Sequence, residues 1–313
     1  MFVFKTIKIP HLIKKERCTR RGRVYYRKSE KGSFKKIFNF LGIICFFVCA
    51  LYFVSTYEKE SPIEESDFLS NFKVEEGAYA DDALNEEKIK SIDFKTDINN
   101  EEAQVIIFQT HFSEEYNEEK SEDEKYTVAD AGRKLAEILA NDYGLTVVHD
   151  MGEYDIENGA LDRENSYERS GEGVEKLMEK YPNAEIFIDI HRDAYTESEN
   201  VNYTVIDDKN CAYLMPVVGV CAINNNGVKE DSGYTNEFLY ENLKFAYDFR
   251  LACQNLSDSL CKEIYLKPYR YSTYHAPMSI LLEVGNEKST FDEVENSLYY
   301  AAEAVAKAAG IEN

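Results

Sequence analysis

Histidine is scarce in this 313-residue chain, with only His11, His111, His149, His191 and His275. Familiar catalytic signatures are scarcer still. H-E-x-x-H is absent, which excludes the helical two-histidine zinc site. G-x-S-x-G and G-x-x-x-x-G-K-[ST] are absent too, which removes nucleophile-elbow hydrolases and P-loop nucleotidases. His191-Arg192-Asp193 imitates a kinase catalytic loop, but no Gly-rich loop or D-F-G accompanies it. The seven cysteines form no C-x-x-C, so zinc-ribbon spacing is missing. No internal repeat is visible.

Positive charge is confined to one end. Residues 1–36 hold 13 Lys/Arg against two acids, and residues 37–57 hold no charge. From Glu58 onward 56 acids face 23 bases, a balance of −33. A body that acidic repels a phosphate backbone, which excludes nucleic acid as a partner. The uncharged window IFNFLGIICFFVCALYFVSTY would span about 31 Å as a helix, enough for a bilayer core. It is too long for the apolar stretch of a cleaved signal and lacks a small-x-small exit. The basic flank therefore predicts a single-pass protein of the cell membrane, with its N-terminus cytoplasmic and its acidic body outside. Cys211, Cys221, Cys253 and Cys261 would lie where disulfides can form, or serve as buried small hydrophobes.

Residues 58–102 are rich in Asp and Glu, poor in aromatics and without apolar period, which predicts a solvated extracytoplasmic linker. From Ala103 the texture changes. Buried strands are expected at 103–111, 145–150, 184–194 and 279–285, with further strands within 202–222. Helical spacing runs from Val128 until Gly144, through Val174 until Pro182, over 236–260, and from Phe291 to Val305. The alternation predicts one α/β domain over 103–313, a mostly parallel central sheet between flanking helices.

His111 and His191 fall at the polar ends of two such strands, and Glu283 near the end of a third. Ligands collect at the carboxyl ends of strands in open α/β sheets. One strand-end histidine alone reads as a hydrogen-bonding residue. Two imidazoles beside a carboxylate are what a catalytic zinc site needs.

Four blocks in order carry a family likeness: FQTHFSEEY (108–116), SYERS (166–170), IDIHRDA (188–194) and YRYSTYHAPMSILLEVGN (269–286), the last followed by STFDE (289–293). Over roughly 103–310 the chain resembles the stage II sporulation protein P family. These are membrane-anchored peptidoglycan hydrolases of endospore formers, related to the zinc N-acetylmuramoyl-L-alanine amidases. The resemblance implies a zinc-amidase-like fold with His111 and His191 as zinc ligands. It implies a third ligand, an acid five residues before an apolar helix position. Counting back from Val128 gives Asp123, with Glu122, Glu124 and Glu114 as alternatives. Glu283 would be the general base, and Arg169 and Arg192 would sit near the metal and hold substrate carboxylates.

The implied reaction is hydrolysis of the amide between N-acetylmuramic acid and L-alanine, with stem-peptide cross-links as a second target. Its implied setting is septal wall degradation during sporulation engulfment, with stage II sporulation proteins D and M as partners. Two departures stand out. Gln109 replaces the first histidine of the family's H-T-H. Strand alternation would turn 109 and 111 the same way, making Gln109 a hydrogen-bonding neighbour of the metal. Ser272-Thr273 replaces Asn-Gln, which bears on substrate preference. A zinc endopeptidase acting on stem peptides only, or a catalytically degenerate module binding wall or partner, are the alternatives. The 23 tyrosines read as ordinary packing.

Overall fold

The computed structural model describes residues 68–97, 102–122, 124–195 and 203–311. A separate unit, Met1–Glu64, is described only at the antiparallel pair Thr19–Arg20 and Arg23–Val24. The apolar window 37–57 and Asp123 lie outside the described residues. Among the described residues, no helix is long and apolar enough to cross a membrane. The four described cysteines are free thiols.

The apolar runs become seven core strands: β1 Phe72–Val74, β2 Val105–Phe108, β3 Val147–His149, β4 Ile186–Asp193, β5 Leu214–Gly219, β6 Ile264–Lys267 and β7 Met278–Asn286. Among the described residues five α-helices accompany them: α1 Glu86–Lys90, α2 Val128–Tyr143, α3 Ser166–Lys180, α4 Leu239–Leu256 and α5 Phe291–Ala308. Two of the long helices, α2 and α5, carry capping boxes. Asp130 accepts from the Thr127 N–H at 3.1 Å, and Glu293 from the Thr290 N–H at 2.9 Å. Gly144, at φ +69°, ends α2 in the left-handed conformation glycine adopts without strain.

The sheet runs β1-β6-β5-β7-β4-β2-β3. Every joint is parallel except β5 against β7, so the mostly parallel sheet expected from the sequence is present. Its two faces are covered unequally. Ile186, Ile188 and Ile190 of β4 join Ile280 and Leu282 of β7 in the large core with residues of α2, α4 and α5. The opposite parity packs Phe187 against Ile106, Phe108 and Val174 of α3. Further along that face, Met215, Val217 and Leu281 meet the half-buried rings of Tyr167, Tyr265 and Tyr271. Asp189, His191 and Glu283 share this second parity, and period-2 alternation places them on the face that packs against α3.

The solvated linker is corrected for 68–97. Phe68 and Phe72 are buried against Tyr247, with Phe68 ring centroids 5.0 and 5.2 Å from theirs. β1 adds an edge strand to β6, and Ile89 of α1 is fully buried. Arg250 of α4, itself buried, donates to Asn71 Oδ1 at 3.2 Å and to the carbonyls of Cys261 and Lys262. A three-residue strand and a five-residue helix are too short to display a hydrophobic period, which is why composition hid them. The compact unit therefore spans Glu65–Asn313 rather than beginning at 103.

Candidate metal centre

β2 ends at Phe108, and the chain then turns back on itself. The Glu114 N–H donates to the His111 carbonyl at 3.1 Å, and the Glu114 carbonyl accepts from Val128 at the start of α2 at 3.0 Å. This turn aims His111 and Glu114 at β4, where the apolar run breaks at Asp189 and His191. Parallel register places Glu283 of β7 directly opposite His191. Three strand ends thus deliver one cluster.

Both imidazoles turn Nδ1 toward Glu114. His111 Nδ1 lies 3.4 Å from Oε1, and His191 Nδ1 lies 3.6 Å from Oε2. Their far nitrogens are held from behind. His111 Nε2 meets Ser166 Oγ at 3.1 Å, and His191 Nε2 lies 3.0 Å from Asp189 Oδ2. The second contact is an off-axis ion pair rather than a straight hydrogen bond. The ring of Tyr167 stands 5.3 Å from His111 edge-on and 6.2 Å from His191 nearly parallel. Asp189 is fully buried and accepts from Thr110 N (2.8 Å), Thr110 Oγ1 (2.7 Å) and Ser272 Oγ (2.5 Å).

The three donor atoms of His111, Glu114 and His191 all lie within 4.8 Å of one another. A tetrahedral zinc with bonds of about 2.1 Å needs neighbouring donors about 3.4 Å apart. His111 reaches one Glu114 oxygen and His191 the other, each at close to that separation, and two nitrogens with one carboxylate is a catalytic donor set. Beside them Glu283 Oε2 is enclosed without any hydrogen-bond partner, although the residue keeps a partly open edge. An orphaned buried carboxylate oxygen is rare and costly unless function uses it.

The electrostatics separate the carboxylates into two kinds. Burial opposes charge on Glu114, but hydrogen bonds and charge from His111 and His191 hold its carboxyl far below the ordinary range. Burial opposes the charge on His191 as well, yet Asp189 and Glu114 hold its pKa well above 6.5. Asp189 is lowered against its burial by His191, Ser272 and Thr110. Glu283 goes the other way. Burial pushes its carboxyl up to about 8; Glu114 and Asp193 reinforce the rise, and His191 and Lys267 oppose it.

Of the carboxylates weighed from sequence as third ligand, Glu114 stands between the imidazoles. Glu122 and Glu124 are exposed at the tip of the hairpin Glu115–Ser121/Glu124–Thr127. Arg169 directs its guanidinium at the 154–162 loop, donating to Tyr154 O at 2.7 Å and Asp162 O at 2.5 Å. Arg192 ties β4 to the turn: its N–H donates to Glu114 Oε2 at 3.1 Å and its Nε to Glu115 O at 2.8 Å. Arg163 is the guanidinium near the cluster, 3.6 Å from Glu114 Oε1. Gln109 is corrected. Because the strand ends at Phe108, alternation does not carry on to His111, and Gln109 contacts His149 at 3.0 Å on the α2 side instead. His275 sits between Phe108 and Phe187 and is not among the three donors. Sequence reasoning missed Asp189, Ser166 and Tyr167. Only Asp189 left a signal, a charge in the middle of an otherwise apolar strand.

A family model described as stage II sporulation protein P matches residues 50–306. No curated protein matches the chain. Among solved structures, the N-acetylmuramoyl-L-alanine amidase AmiC2 of Nostoc punctiforme is 16% identical, covers 66% of this chain and 94% of its own, and gives a TM-score of 0.36. The CwlD amidase from Clostridioides difficile, solved in complex with the GerS lipoprotein, is 16% identical over 66% and 95%, with a TM-score of 0.39. The catalytic domain of the amidase CwlV from Bacillus (Paenibacillus) polymyxa var. colistinus is 12% identical over 66% and 95%, with a TM-score of 0.36. Likenesses this distant assign no residue a role.

Proposed function

The chain belongs to the stage II sporulation protein P family, and on that premise we propose that it is a zinc-dependent peptidoglycan hydrolase. Its target is the amide between N-acetylmuramic acid and L-alanine. One observation carries the reading: His111, Glu114 and His191 converge with their donor atoms within 4.8 Å of one another and the orphaned Glu283 beside them.

Zinc held by these three residues would supply Lewis acidity and a water acidified toward a pKa of about 7. Glu283 accepts the proton of the attacking water on its carboxylate and delivers it to the departing amine. On the protein's own groups its carboxyl stands at about 8, and positive charge beside it favours the carboxylate form that this role requires. Asp189 and Ser166 fix the two imidazoles from behind, leaving Nδ1 of each directed at the centre. Tyr167 packs against both rings and limits their rotation.

The same reading includes an anchor at 37–57 with a cytoplasmic N-terminus, tested by membrane fractionation and protease protection of the two ends. It includes stage II sporulation proteins D and M as septal partners, tested by co-purification. The chemistry is tested with the full-length chain in detergent. Zinc content is measured, and products from insoluble peptidoglycan are weighed by mass spectrometry beside His191→Ala. One zinc per chain with intact stem peptides is the expected result. Truncated peptides would move the assignment to an endopeptidase, and a zinc-replete chain that releases nothing would refute hydrolysis.

A further inference from the structure

Tyr167 also walls a cleft of about 320 Å³ that Glu164, Glu168, Tyr234, Tyr269 and Arg270 line with it. The cleft therefore adjoins the metal centre through one ring. Tyr234 and Tyr269 are 43% and 48% exposed although their rings lie 6.5 Å apart. Adjoining aromatics left open to solvent mark a binding surface more than a packing one.

Its charges are unpaired. The Arg270 guanidinium lies 3.6 Å from the Tyr274 ring centroid and 5.3 Å from that of Tyr234. It meets no carboxylate among the described residues, and Glu164 and Glu168 meet no cation there. Opposite charges line one cleft without closing on each other. A guanidinium held by rings, with its N–H fork free, is preorganised for a carboxylate. By contrast, Arg169 and Arg192 are already engaged with backbone carbonyls.

The segment carrying Arg270 is held in place from several sides. Tyr271 adopts φ +51°, which a tyrosine keeps only where surroundings impose it. Ser272 donates to Asp189, and Gly219 N donates to Thr273 Oγ1 at 3.3 Å. A Cβ on Gly219 would meet Tyr269 O at 2.2 Å, so the close approach requires glycine. Arg270 is thus set by the same Asp189 that holds His191.

We propose that this cleft is the peptide subsite. It takes a zwitterionic segment, with a free carboxylate at Arg270 and a free amine at Glu164 and Glu168, as in the diamino-acid residue of a stem peptide. The inference rests on the peptidoglycan reading and names the part of the substrate recognised. A sugar would use the rings but has no need of the opposed charges.

The test is calorimetric titration of the full-length chain in detergent with three probes: the tripeptide L-Ala-γ-D-Glu-diaminopimelate, its side-chain N-acetyl form and its side-chain amide. Each cap should weaken binding about tenfold, the loss of one charge-assisted contact. Arg270→Met should weaken the uncapped probe similarly and become indifferent to the amide. Glu164→Gln with Glu168→Gln should become indifferent to the N-acetyl group. Arg270→Lys, which keeps charge and stem, guards against a loosened loop and should bind between the two. Equal binding of all three probes by the unaltered chain would overturn the proposal. So would an Arg270→Met chain that still distinguishes the amide. The tripeptide contains no muramoyl amide, so its binding is read independently of hydrolysis. A chain that binds it yet never cuts wall material refutes the amidase alone; one that cuts wall yet ignores all three probes refutes the subsite alone.

Discussion

Replacing Asp189 by Asn changes one atom and should disable a ligand two residues away. Asp189 Oδ1 accepts from the Thr110 N–H, so the amide that Asn introduces would sit at Oδ2. That position now receives the hydroxyls of Thr110 and Ser272 and faces His191 Nε2 at 3.0 Å. The hydroxyls can reverse and accept. The imidazole can avoid an N–H against N–H clash only by surrendering the proton from Nε2. The neutral ring then carries it on Nδ1, the nitrogen aimed at Glu114, and a protonated nitrogen cannot bind metal. Loss of such an outer partner costs 10–100-fold in metal affinity, or about 1.4–2.7 kcal/mol. Competition against a fluorescent zinc chelator measures the affinity, and ¹⁵N shifts of His191 report which nitrogen is protonated. Affinity within twofold of the unaltered chain, with Nε2 still protonated, would refute the tautomer reasoning.

Glu283→Gln should keep its zinc and lose about 10²–10⁴-fold in hydrolysis rate; a near-normal turnover removes Glu283 as the base. Phe72→Ala should cost about 3 kcal/mol in urea unfolding, because β1 belongs to the core; a cost near zero would return 68–97 to the status of a spacer. Burial holds His275 and, less enclosed, His149 at about 4, below the 6.5 of an unfolded chain. The unfolded state therefore binds protons that the folded state refuses. Their contribution is neutral above pH 6.5 and costs stability as pH falls toward 4, by up to about 3 kcal/mol for a fully enclosed ring. His275→Phe should flatten part of that slope between pH 7 and 5, and an unchanged slope would contradict it.

Long elements were legible because they repeat a signal. The apolar run of β4 and the spaced apolar residues of α2 and α5 each contain enough positions to fix a period. His111, His191 and Glu283 were legible because scarce polar groups stood at the ends of such runs. Glu114 could be named only as one acid among several. What selects it is a turn that begins where β2 stops, and a turn of that kind has no period to read. Asp189 and the free guanidinium of Arg270 depend on what arrives from distant segments, which spacing cannot show. The cleft tyrosines were passed over for the same reason: Tyr167, Tyr234 and Tyr269 are far apart in sequence and adjacent only after folding.

That residues from Phe68 onward belong to the domain changes the mechanics of the anchored form proposed above. A tether running from 58 to 102 would have let the enzyme graze over about 150 Å at full extension. With β1 built into the sheet, ten residues remain between Tyr57 and Phe68, a contour of about 35 Å. In the anchored hydrolase proposed above, such a leash would restrict cutting to the wall layer nearest the membrane, so that distance would impose the order in which strands are cut. Inserting a flexible Gly/Ser segment after Tyr57 should release that restriction and let digestion reach layers the native chain leaves whole. Cutting confined to the same layer after insertion would mean that something other than the leash sets the range.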